Sequence, residues 1–383
     1  MVASQSKYDA VVVGAGPSGS RTARLLSEQG YSVALVERNS EIGTPVHCTG
    51  IVSADCMQRY QLPESLVLKS IKSFTLRSPS GSAINLTRNE TQAYVLDRVE
   101  LDRYLVSQAI EFGAHLFKST EINDIKWTGK GVVLTGNRVN SVELNAKVAI
   151  LASGYGSTLS RKLGFNSQKE LLSGAQAIVS APEVEQLEVF TGRNMGKGGF
   201  GWLLPWKPGL ALIGVLTRKH TVWYMREHIQ RLQREGIVGN IEQIFRCRPV
   251  PLQTVPNAVQ DGILGVGDVV GQIKPTTGGG IYFGLLGADI AAGVLNAAID
   301  RGLADAAALS PYDAQWRKVL ETEIRQGFQL RRIGEQFPET VIEQLHRLMR
   351  VPVLRNLFIS TKPHYDWHST GLLQILDRFR RYA

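Results

Sequence analysis

The sequence predicts an α/β protein: a parallel-sheet domain assembled from separated stretches, an inserted antiparallel sheet, and a helical C-terminal region. Three observations carry this. Apolar strands run directly into glycine-rich turns and helices near residues 8–29 and 262–281. Between them, residues 210–215 alternate after a Pro208-Gly209 turn, as a hairpin strand does. Beyond about Ala304, apolar residues recur at helical spacing, as in Val341, Ile342, Leu345, Leu348 and Met349.

Composition sets the bounds. Of 383 residues, 43% are apolar and 20% charged, which builds a sizeable core and excludes disorder as the main state. That length allows two or three domains, or one large α/β unit with insertions. The 38 glycines follow no Gly-x-y period, so they serve turns and close backbone approach. Cys48, Cys56 and Cys247 lack metal-ligand spacing and cannot build a disulfide framework; a reducing, cytoplasmic setting is expected. Residues 1–7 read as too short and polar for a secretory leader. The longest apolar stretch, residues 281–299, holds Asp289 and follows three glycines, so it reads as a buried helix rather than a membrane span. Net charge is +9, and from Arg317 onward 12 basic residues meet 7 acidic ones. Such an end suits an anionic partner, a peripheral membrane surface or a phosphorylated substrate, or else a solvated helical face.

Residues 8–13 (YDAVVV) form a continuous apolar run, as a buried parallel strand requires. Gly14-Ala15-Gly16-Pro17-Ser18-Gly19 follows, then a helix over residues 20–29 and a second strand over 31–36 ending at Glu37. Gly14 permits the tight turn, Gly16 lets a pyrophosphate approach the backbone, and Gly19 lets helix and strand pack closely. The helix N-terminus offers free N–H groups and a positive dipole end to phosphates. Glu37 can accept hydrogen bonds from an adenosine ribose. The longer pattern GxGxxGxxxAxxLxxxGxxVxxxE is filled at every position.

The motif suits FAD or NAD, and two features favour FAD: its extreme N-terminal place and a complementary element far away. Residues 262–266 read as a strand ending at Gly267-Asp268, followed by Gly271, Pro275, Gly278, Gly279, Gly280 and the helix from Ile281. An Asp there can hydrogen-bond a ribityl chain, and the glycines let a flavin ring lie against backbone. The next helix then points its positive end at the ring. No second GxGxxG follows a strand, so the electron donor, NADPH or a small redox protein, binds in passing.

The pair of elements resembles the FAD-binding elements of the flavoprotein superfamily that includes aromatic hydroxylases and geranylgeranyl reductases. The resemblance covers most of the chain up to about Arg332 and implies a discontinuous, Rossmann-like FAD-binding domain. Residues 94–102 resemble the segment in which an arginine contacts the cofactor, giving Arg98 that role. The strand over 146–152 with Ser153-Gly154 resembles the middle motif, with Ser153 where Asp is usual. The implied cofactor set is Gly14, Ala15, Gly16, Pro17, Ser18, Gly19, Glu37, Arg38, Cys48, Arg98, Ile122, Ala152, Gly154, Asp268, Pro275, Gly278, Gly279, Gly280 and Ile281.

Two segments resemble the geranylgeranyl reductase branch: Pro45-Val46-His47-Cys48, and Phe200-Gly201-Trp202-Leu203-Leu204-Pro205. The resemblance implies reduction of C=C bonds in a polyprenyl chain, with Trp202 and Phe200 walling the apolar substrate and Cys48 tuning the flavin or assisting proton delivery. Read as residues alone, Cys48 can also be a buried small hydrophobe, and Trp202 and Phe200 plain core. Arg193, Lys197 and Lys207 flank the strand and suit either a diphosphate head group or solvent. The alternatives are a flavin monooxygenase or halogenase on the same scaffold, with Lys69 or Lys72 as the relay lysine, and a flavin-bearing prenyl-lipid binder without turnover. His364, Asp366 and His368 have metal-like spacing but no third distant ligand, so no metal is expected. No basic–aromatic array suggests nucleic acid.

The expected domains are FAD-binding over 1–70, 93–165 and 255–300, a substrate-binding sheet over 71–92 and 166–254, and helices over 301–383.

Overall fold

The computed structural model describes residues 6–137, 141–245, 247–360 and 365–371. Five strands of its first sheet run parallel, in the order Ile263–Gly265, Ser141–Leu151, Ser6–Val13, Val33–Val36 and His115–Phe117. Strands covered on both faces are apolar throughout, and Ala10, Val11, Val12, Ala34 and Leu35 are wholly buried. Glu121–Trp127 and Val132–Asn137 extend Ser141–Leu151 as an antiparallel meander. The carboxyl ends of the five parallel strands share one edge, where open sheets of this kind bind ligands.

Helix Pro17–Glu28 packs between Arg98–Glu111 and Ile281–Asp300. It begins three residues earlier than the sequence pattern predicts, because proline's fixed φ suits the first helical turn. The second strand begins two residues later. The Tyr31 hydroxyl instead donates to Asp300, at 2.6 Å, at the end of the apolar helix. That helix is long and apolar enough to cross a membrane, yet 67% of its apolar window is buried within the fold. The charge in its interior, Asp289, pairs with Arg21 at 2.9 Å and accepts from the Tyr60 hydroxyl.

The second sheet runs Ile241–Ile244, Leu171–Ser180, Leu210–Thr217, Phe200–Pro205, Leu187–Phe190, Ser73–Arg77, Ala83–Thr87, and Arg248–Pro251 also pairs with Leu171–Ser180. The expected antiparallel order holds except at one junction, where Leu187–Phe190 lies parallel to Ser73–Arg77. These two strands come from distant segments, so no hairpin dictates their direction. The ion pair of Arg77 with Glu188 (Nη2–Oε1 3.0 Å) spans the junction. Helix Thr221–Arg234 covers one face through Met225, Ile229 and Leu232. A three-stranded sheet that the pattern did not predict, Ile51–Ser53, Ala93–Leu96 and Val67–Ile71, packs on the other face through Ile71, Ala93 and Val95.

Helices Ala306–Gly334, Glu339–Arg350 and Pro352–Ser360 follow. Pro311 forfeits a bond inside the first of these. The Ala307 carbonyl it would have reached accepts from the Ser310 hydroxyl instead, at 2.8 Å. At the next residue, the buried Tyr312 hydroxyl donates to the Gly265 carbonyl and accepts from Gln272, each at 2.9 Å; Gln272 in turn accepts from the Gly267 amide at 2.7 Å. This chain of bonds fixes the turn after strand Ile263–Gly265. Tyr312→Phe strands two buried polar groups and is expected to cost about 1–3 kcal/mol in urea unfolding. An unchanged midpoint would contradict the network.

Candidate functional site

One cavity of about 470 Å³ opens at the carboxyl edge of the parallel strands. Its wall holds Gly14 to Ser18, Glu37, Arg38, Cys48, Arg98, Ile122, Ala152, Gly154, Asp268, Gly278, Gly280 and Ile281. Two glycine-rich helix entrances, some 250 residues apart in the sequence, therefore line the same space.

The three motif glycines differ in what surrounds them. A Cβ on Gly14 (φ +109°) would sit 2.4 Å from the Ala152 carbonyl oxygen, and one on Gly19 only 2.0 Å from that of Gly14. Both positions must stay bare for the strands and helix to close up. A Cβ on Gly16 would meet nothing within 4 Å: its bareness serves a ligand, not the protein. Helix Pro17–Glu28 carries no side-chain cap and no acid in its first turn, so its amides remain open to phosphate. Glu37 braces the loop from the next strand, accepting from the amides of Ala15 (3.0 Å) and Asn39 (2.9 Å).

Opposite, Arg98 sits at the start of helix Arg98–Glu111, capped by Asp97. Its Nη2 bonds both oxygens of Asp102, at 2.9 and 2.8 Å, while its Nη1 is buried with no partner. Burial works against the guanidinium charge, but Asp102 outweighs it and the arginine stays charged. A buried donor held this way awaits an acceptor. Asp268, in the turn Gly267–Val270, is pushed up to about 6 by burial, with Arg98 opposing. A Cβ on Gly280 would lie 2.5 Å from its Oδ1. Open space at Gly16, the orphaned Arg98 nitrogen and the Asp268 carboxyl are what an extended dinucleotide with phosphates at one end and a ribityl chain at the other requires. The residues fit FAD.

Not every sequence-predicted residue reaches the cavity wall. Gly19 serves helix packing. A Cβ on Gly279 would lie 3.0 Å from the Lys274 Cε, and Pro275 is buried behind the turn with its carbonyl accepting from Arg331. Phe200 and Trp202 stand on one face of their strand, rings 5.9 Å apart, and pack with Leu172, Leu216, Leu252 and Val250. They form an apolar layer one shell away: Leu216 and Val250 come within 3.6 Å of a Cβ placed on Gly278. Lys207 pairs with Asp97 at 3.2 Å, and Arg193 and Lys197 are exposed; none of the three lines the cavity.

Several residues escaped the sequence reading. Lys274 is buried, paired with Asp366 at 2.7 Å, and its ammonium lies 4.4 Å from the Tyr365 ring centroid. Its backbone shapes the flavin-side turn, accepting from the Gly278 amide and donating to the Gly279 carbonyl. Thr276 bonds His368 and Glu323 accepts from Ser369 and Thr370, so residues 365–371 seal the back of that turn. Asp366 and His368 are thus spent on packing the site, and His364 lies outside the described residues. Gly267 and Gly284 leave room for the Ser18 hydroxyl, where the two motif helices meet.

The sequence profile of the FAD binding domain family matches residues 7–326. Over 362 residues the chain is 31% identical to digeranylgeranylglycerophospholipid reductase 2 of Methanothermobacter thermautotrophicus, covering 90% of this chain and 91% of that one. The chain belongs to the geranylgeranyl reductase family of FAD-dependent oxidoreductases. A second member, digeranylgeranylglycerophospholipid reductase of Methanocaldococcus jannaschii, is 29% identical over 88% of this chain and 89% of its own. A geranylgeranyl bacteriochlorophyll reductase-like protein from Thermoplasma acidophilum shares the fold, with a TM-score of 0.84 at 21% identity over 97% of this chain and 99% of that one. A flavin-dependent brominase shares it at 0.70 and 17% identity, over 99% and 100%. The chain is an FAD-dependent oxidoreductase, as its sequence predicts.

The raised Asp268 carboxyl has a measurable consequence. The folded chain holds its proton up to about pH 6, while the unfolded chain releases it near 3.8. Its contribution is complete below pH 4, is lost as pH climbs to 6, and stays lost above. Cofactor-free Asp268→Asn is expected to be more stable than the parent at pH 8 by roughly 1–3 kcal/mol. The two should converge below pH 4 in thermal or urea unfolding, and equal stability at pH 8 would contradict the burial of this group.

Proposed function

We propose that this protein saturates C=C bonds of a polyprenyl chain carried by a lipid. Bound FAD, once reduced, supplies the hydride. The chain's own residues supply the rest. An isolated alkene has no carbonyl on which charge can develop, so catalysis must come from alignment in a dry space. The observation that carries this reading is the apolar layer of Phe200, Trp202, Leu216 and Val250 beside the flavin-side turn. Trp202 lies over Gly214, its partner on the next strand, where any Cβ would strike the ring at 2.1 Å; the glycine sets the ring's position. The carbon face of the Trp202 ring packs with Leu172, Leu216, Leu252 and Val250, which makes this layer apolar.

Cys48 lies in the cavity wall, its Sγ 3.4 Å from the Gly50 amide, and we assign it to the substrate side of the flavin. An isolated alkene is too weak a base to take a proton from a thiol unaided, so its part is positioning or relay. The halogenase and monooxygenase reading needs a lysine at the cavity. Among the described residues none lines it; Lys69 is exposed on strand Val67–Ile71 and Lys72 is exposed beyond it. The donor to FAD is NADPH or a small redox protein that binds in passing.

Chemically reduced, FAD-loaded protein mixed with a geranylgeranyl lipid is expected to add two hydrogens per bond by mass and to reoxidise its flavin. Trp202→Ala should keep the flavin spectrum and lower that rate about a hundredfold. Flavin that stays reduced with every prenyl lipid, yet reoxidises with oxygen and an aromatic substrate, would overturn the reading.

A further inference from the structure

The C-terminal helices present a surface that neither the cofactor site nor the sheets use. Leu345, Leu348, Val351 and Val353 are 45–75% exposed within eight residues of one another, and Ile333, 54% exposed, lies at the end of the preceding helix. Soluble surfaces carry single exposed apolar side chains, not a dense run of them.

The charges of the same stretch are sorted. Between Arg332 and Arg355 there are three acids, and each has a partner elsewhere in the molecule: Glu335 pairs with Arg218 and Arg331, Glu339 accepts from the Arg193 amide, and Glu343 from the Ser80 amide. Arg332, Arg347 and Arg350 stand exposed. The exposed side chains of this stretch are therefore apolar and cationic together, while its acids are engaged by Arg218, Arg331 and the backbone amides of Arg193 and Ser80.

A second element joins it. The Arg218–Glu335 pair, at 2.9 Å, draws the start of helix Thr221–Arg234 to this end of the molecule. There Val222 and Trp223 are 63% and 54% exposed, with Lys219 and Arg226 exposed beside them. Exposed tryptophan, aliphatic side chains and arginines at neighbouring elements are the composition that lies in a membrane interface.

We propose that this face docks on a bilayer carrying anionic headgroups. Charge complementarity selects that occupant: arginines near an anionic leaflet gain from its surface potential, and the leucines and valines enter the headgroup boundary. The inference stands on this surface and goes beyond the prenyl-reduction reading. The test is flotation of the full-length, FAD-loaded protein with phosphatidylcholine vesicles, with and without phosphatidylglycerol, at low and high salt. The protein is expected to float with the anionic vesicles and to leave them as salt rises. Arg347→Gln with Arg350→Gln should lower partitioning about fivefold per arginine, and Leu348→Ser with Val353→Ser should lower it further. No flotation, equal partitioning of all variants, or a dimer in sedimentation that buries this face without vesicle binding would overturn the proposal. Loss of turnover on detergent-dispersed lipid with flotation intact would count against prenyl reduction alone.

Discussion

The close approach of helix Pro17–Glu28 to helix Ile281–Asp300 is the constraint on which the rest depends. Each helix begins at a glycine-rich turn, and the two turns line one cavity only because nothing bulky separates the helices. Ser18 fits against Gly267 and Gly284, and Arg21 reaches Asp289 across the same seam. An unpaired aspartate in that apolar helix would be costly, and the pairing turns it into a register mark. The sheet then places strand ends Val13, Val36, Leu151 and Gly265 behind the cavity.

Charge inside the site is arranged so that each buried group has a job. Arg98 is anchored by Asp102 yet keeps one nitrogen for a ligand. Asp268 tolerates burial that raises its carboxyl, a strain that a hydrogen-bonding ribityl chain would relieve. Lys274 and Asp366 neutralise one another beneath the flavin-side turn, with the Tyr365 ring over the ammonium. The tail thereby becomes part of the cofactor site rather than an appendage.

Local signals made much of this legible in the sequence. Gly14, Gly16 and Gly19 do three different things at fixed spacing, and a strand–turn–helix packs that information into a dozen residues. Asp268 and Gly278 to Gly280 were readable for the same reason. Long-range facts were not. Lys274 finds Asp366 across 92 residues, the parallel junction at Leu187–Phe190 has no hairpin to announce it, and Gly214 matters only because Trp202 lies opposite. Alternation placed Phe200 and Trp202 on one face, but not one layer behind the cavity wall, which depends on how two sheets meet.

The account is tested most directly by titrating FAD into cofactor-free parent, Gly16→Ala and Gly280→Ala proteins, following flavin fluorescence. One FAD per chain is expected for the parent. Each variant should bind at least about tenfold more weakly, while Gly16→Ala unfolds within about 0.5 kcal/mol of the parent. Parent-like affinity in either variant would contradict a single dinucleotide held at both glycine turns.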